Sequence, residues 1–109
     1  MSFNGNEGEP ISLEQGAELT ARYRNSHPGS IKGGAVGRTN IEALLAQPGC
    51  RGIRVYLGEN TEGKTEFVFV GVDENGDDML NLIVDKTMMC PFLCGASNPL
   101  NSDFKTGSK

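Results

Sequence analysis

The chain has 109 residues, 37% hydrophobic and 22% charged, which fits one domain able to bury a core without staples. A net charge of −4 argues against broad binding to duplex nucleic acid, where basic patches dominate. No stretch approaches the roughly 20 apolar residues of a membrane span. Residues 1–10 are polar and acidic rather than a secretory signal, so the expected location is cytoplasmic, with the three cysteines reduced.

Taken in order, residues 1–10 read as a disordered leader rich in Gly, Asn and Glu. Residues 12–25 read as an amphipathic helix. Ser12 and Gln15 have capping-box spacing. Leu13, Ala17, Thr20 and Ala21 share one face, with Glu14, Glu18 and Arg22 opposite. His27-Pro28-Gly29 ends the helix, and a glycine-rich loop, residues 29–38, leads to a second, short helix over 39–47. Thr39 and Glu42 are its expected capping box, and Ile41, Leu44 and Leu45 its buried face.

Residues 52–84 read as three strands joined by two turns. Ile53, Val55 and Leu57 alternate with Arg54 and Tyr56, the period of two of a half-buried strand. Phe67, Val68, Phe69, Val70 and Val72 are nearly continuous in apolar character, as a central strand requires. Asn75-Gly76 is a strong hairpin signal. With those two as the loop, Val72 pairs with Met79, Val70 with Asn81 and Val68 with Ile83. The expected fold is α+β: two helices packed on a three-stranded antiparallel meander, ααβββ, in two layers. One domain is expected over residues 11–95, with a mobile tail at 96–109.

That register leaves both hairpin faces apolar. One face holds Val68, Val70, Val72, Met79 and Ile83, and the other Phe67, Phe69, Leu80, Leu82 and Val84. Two helices cover one face, so the first is expected to meet a second copy or a protein partner. The internal alternative is that residues 90–95 fold back over it, burying Phe92 and Leu93.

Three other segments could carry chemistry. Lys32, Gly33, Gly34, Gly37, Arg38 and Thr39 lie in a glycine-rich loop at a helix N-terminus, where backbone N–H groups and two cations could hold a phosphate or carboxylate. The loop lacks the GK[ST] lysine of a phosphate-binding P-loop. Cys50, Cys90, Cys94 and His27 could supply a Cys3His zinc set. Otherwise Cys90 and Cys94 are a redox pair, with three residues between them rather than two, and Cys90 ahead of Pro91 in a helix N-cap position. Plain packing as small hydrophobes is the remaining reading of the thiols. Asp73, Asn75, Asp77 and Asp78 have part of a calcium-loop spacing, but position twelve is Val84, so a solvated turn fits better. The facing Asp73 and Asp78 hint at a cationic partner.

The segments GRTNIEALLAQPGCRGIRVYLG, VFVGVDENGDD and CPFLCGASNPLN together resemble a group of short uncharacterised bacterial proteins, over about residues 30–101. The resemblance implies a complete small protein and no particular activity. With one histidine and no nucleophile–base pattern, the expected function is a non-catalytic interaction module that self-associates through a sheet face. The alternatives are an anion or phosphate-ligand binder, with or without enzymatic activity, and a zinc or thiol-redox protein. No cofactor is expected beyond that zinc.

Overall fold

The Ser12 hydroxyl accepts the Gln15 N–H at 3.0 Å, and the Gln15 side chain accepts the Ser12 N–H at 2.9 Å. This capping box starts α1 (Leu13–Ser26) where the spacing predicts. β1 (Gly33–Ala35) follows in the stretch expected to be an open loop. α2 (Arg38–Leu45) begins earlier than expected. Its N-cap is Gly37, which has no side chain to bond, so Thr39 lies inside the helix and its capping box with Glu42 is not made. Glu42 faces Arg38 instead, at 3.5 Å. The remaining elements are β2 (Cys50–Glu59), β3 (Thr65–Asp73), β4 (Asp78–Val84) and β5 (Met88–Cys90). The computed structural model describes residues 2–91 and 94–103.

The expected α+β class holds: two helices and a three-stranded antiparallel meander of strand order β2-β3-β4, with α2 layered on the sheet. The chain forms two compact units. One comprises residues 2–8 and 35–88, the other residues 9–34, 89–91 and 94–103. The first contains α2 and the meander. The second contains α1 and most of the two-stranded β1-β5 sheet.

In the first unit the β2–β3 ladder matches the alternation. Ile53, Val55 and Leu57 oppose Gly71, Phe69 and Phe67, while Arg54 and Tyr56 oppose Val70 and Val68 on the other face. The β3–β4 register differs from expectation. Val72 pairs with Asp78 and Gly71 with Met79, leaving a three-residue loop rather than two. The cause is Asp73, whose carboxylate accepts the Asn75 and Asp77 N–H groups at 2.9 and 3.0 Å. That wider turn needs a left-handed backbone only at Gly76, φ 84°. A one-residue slip should exchange the faces of β4, and it moves Met79 onto the Gly71 face. A bulge between Val70 and Gly71 then leaves residues 80–82 unopposed and restores the original parity, with Val70 opposite Ile83 and Phe69 opposite Val84.

α2 packs on β2 and β3 through Leu44, which is fully buried, and Gln47 just beyond the helix lies against Gly71. The opposite face is not left for a partner at Val70 and Val72, which are 3% and 1% exposed. Residues 2–8, read as a disordered leader, have a defined course here. The Phe3 N–H bonds the Glu74 carbonyl at 2.7 Å, and the Phe3 ring occupies the space a side chain at Gly52 would need. The other proposed cover, Phe92 and Leu93, lies outside the described residues.

In the second unit, the half-buried positions of α1 are Gly16, Ala17, Thr20, Ala21 and Arg24, one stripe at helical spacing. α1 fully buries no side chain. Residues 96–103, read as part of a mobile tail, make specific bonds to Arg24 and Lys32. No helix among the described residues is long and apolar enough to cross a membrane.

Candidate functional site

The clearest polar constellation was not anticipated from sequence. On the face shared by Val68, Val70 and Val72, Asp78 of β4 reaches over the small valines of β3 to two residues of β2. Arg54 donates to one Asp78 oxygen and Tyr56 donates its hydroxyl proton to the other. Arg54 also donates to the Gly76 carbonyl at 3.3 Å. A second pair, Arg51 to Glu74 at 3.2 Å, lies on the same two segments. The acidic hairpin tip thus finds its cations on β2, and the hint of an external cationic partner is answered within the unit. The signal in the sequence is the i, i+2 spacing of Arg54 and Tyr56. Only the true register shows that Asp78 lies across from them.

The bonds from Tyr56 and then Arg54 hold the Asp78 carboxyl below the usual aspartate range, and the bond to Asp78 pushes the Tyr56 phenol up. The lowered carboxyl contributes stability above its unfolded value of about 4, and loses it as pH falls through the lower folded value. The raised phenol contributes below about 10 and loses its share as pH rises through the higher folded value. The stability gap between the unmodified chain and Asp78→Asn, read from denaturant midpoints, should therefore be wide at neutral pH and close in acid. It should also narrow in high salt, because these groups are only partly shielded from solvent. A gap that stays constant through the acid range would remove Asp78 as the titrating group. Chemically the arrangement is a clamp between strands rather than an acid–base pair.

The residues expected to bind an anion are not gathered into one site. Gly33 and Gly34 are spent on strand β1, and Lys32 donates its backbone N–H to the Cys90 carbonyl and its ammonium to the Asn101 carbonyl at 2.7 Å. Gly37, Arg38 and Thr39 belong to the other unit, where Arg38 is exposed beside Glu42. Lys32 instead borders a cleft of about 40 Å³, room for a few waters, lined also by Tyr23, Arg24, His27, Gly29 and Ser30.

The zinc set does not assemble. Cys90 and Cys94 form a disulfide, so neither offers a thiolate, and the expectation of three reduced cysteines fails with it. Cys50 is half-buried with its thiol 3.2 Å from the Gly52 carbonyl. His27 stacks on Tyr23 at 4.3 Å and sets its Nδ1 3.2 Å from the Tyr23 carbonyl. No group of three or more His, Cys, Asp or Glu that could hold a metal occurs among the described residues. Cys90 ends strand β5 and does not cap a helix. Of the residues expected at an interface, Val70 and Val72 are buried, Val68 and Met79 are half-buried, and Ile83 is exposed. No protein family, curated protein or solved structure matches the chain.

Proposed function

We propose that the chain is a small non-catalytic interaction module that associates with a second copy through its meander. The supporting observation is Leu57, 77% exposed opposite Phe67, next in the row to Val55, 50% exposed opposite Phe69. Contiguous apolar surface beyond a few hundred Å² is uncommon on monomers, and a two-fold pair is the commonest way to bury it. Relative to the sequence-based expectation, Val55 and Leu57 replace Val70 and Val72 as the contact. The unmodified protein should sediment as a dimer at micromolar concentration, and Leu57→Asp should shift it to monomer with its circular dichroism unchanged. A clean monomer before substitution would end this reading.

Thiol–disulfide exchange is the second reading, favoured by the Cys90–Cys94 bond. In the cytoplasm, the proposed location, such a bond is usually transient and catalytic or redox-sensing. Alkylation at lysis distinguishes the cases. A thiol count that moves between one and three per chain with cellular redox state supports exchange. A constant single thiol means a permanent bond and a more oxidising compartment.

A further inference from the structure

The second unit holds its own C-terminal segment in a groove of α1, and the contacts have the character of a bound ligand. Leu100 lies over Gly16, its Cδ2 only 3.2 Å from where a side chain at that glycine would begin. The Arg24 guanidinium, with 13% of its side chain exposed, donates to the Leu100 carbonyl at 2.9 Å and to the Asp103 carboxylate at 3.1 Å. Lys32 donates to the Asn101 carbonyl at 2.7 Å. The segment is shaped by its own bonds: the Asn98 side chain accepts the Leu100 N–H at 2.7 Å, and the Asn101 amide donates to the Cys94 and Ala96 carbonyls at 3.1 and 3.0 Å.

Among the described residues of this unit, Cys90 is the only buried apolar side chain, and Leu100 itself is 45% exposed. Asp103 is 90% exposed at its side chain. An ion pair so open to water contributes little stability, and the leucine is only half-covered, so neither anchor is strong. Such an attachment is displaceable.

We infer that the α1 groove of Gly16, Arg24 and Lys32 is a peptide-binding site that residues 98–103 occupy as an internal pseudo-ligand. Its external ligand is a peptide segment of another protein that turns as this one does, with an apolar residue followed three positions later by Asp or Glu. Gly16 admits the apolar side chain, Arg24 reads a carbonyl and the carboxylate, and Lys32 reads the next carbonyl. The tethered segment competes at a high effective concentration, which keeps the groove closed until it is displaced. The inference involves the second unit and does not depend on association through the meander.

The probe is a fluorescein-labelled peptide of residues 97–103, Ser-Asn-Pro-Leu-Asn-Ser-Asp, followed by fluorescence anisotropy. The unmodified full chain should bind it weakly. A full chain carrying Leu100→Ala should bind it about tenfold more tightly, the scale of one poorly covered leucine, and one carrying Asp103→Asn about two- to threefold, the scale of an exposed ion pair. Adding Arg24→Gln to either should remove the gain, and a peptide ending in Asn should bind correspondingly less well. Helix content is followed by circular dichroism in parallel. The inference is overturned if neither folded variant gains affinity, or if the gain survives Arg24→Gln. Loss of the helix in both variants also overturns it, because the segment is then part of the fold and not an occupant.

Discussion

Replacing Leu44 by alanine should cost the first unit about 2–5 kcal/mol, the largest single-residue effect expected in this chain. Leu44 is 0% exposed and sits in a helix of 8 residues whose N-cap makes no side-chain bond. So short a helix is not stable alone and depends on packing. Leu44 supplies that packing against β2 and β3. Truncation removes the transfer energy of the side chain and leaves a cavity between helix and sheet. Domains of this size are stable by only about 5–15 kcal/mol, so a large share of the stability is at stake. Urea denaturation should show a lower midpoint with an unchanged slope. A loss below about 1 kcal/mol would mean that the sheet closes over the gap and that Leu44 is not the anchor.

The second large effect should come from replacing Cys90 and Cys94 together by serine. The bridged residues are 4 apart in sequence. For so short a loop the chain-entropy argument gives about 2 kcal/mol, near the lower end for a native disulfide. The loss should be local. Cys90 receives the Lys32 N–H, and the Cys94 carbonyl receives the Asn101 amide, so the bond joins the strand pair to the segment on α1. Hydrogen exchange should quicken in residues 9–34 and 94–103, while the amides of β2, β3 and β4 keep their protection. Equal loosening of the meander would contradict this assignment. Cys50→Ser, by contrast, should leave the exchange pattern of the second unit unchanged.

What could be read from the sequence was whatever short-range rules decide. Ser12 and Gln15 fix their own capping box, and the alternation from Ile53 to Leu57 fixes its own faces. The rest depended on groups that sequence spacing does not bring together. Asn75-Gly76 is a two-residue loop by its backbone preference, yet the Asp73 carboxylate bonds two N–H groups and selects three. From that change follow Met79 on the other face and Asp78 within reach of Arg54 and Tyr56. Phe3 looked like part of a featureless leader because one aromatic among polar residues has no period. Its place over Gly52 is a contact between residues far apart in the chain. The cysteine spacing was visible, but spacing alone does not choose between thiolates and a bond. The candidate anion loop failed for a similar reason: glycines that permit a turn also permit an extended strand, and β1 uses Gly33 and Gly34 in that way.

The bulge in the β3–β4 ladder gives the meander two unlike edges. β4 carries three consecutive residues with no partner on β3, so its outer rim lacks the even rhythm that an incoming strand must match. β2 is the reverse: it pairs without interruption from Gly52 to Glu59, and its rim is regular over that length. Strand addition requires an orderly row of backbone donors and acceptors, and only one rim supplies it. Two copies joined β2 to β2 would consume both of those rims at once. The growing ends of such a pair would be two β4 rims, neither fit to receive another molecule. Edge-to-edge assembly of this protein should therefore terminate at two, a limit set within each chain by residues 80–82.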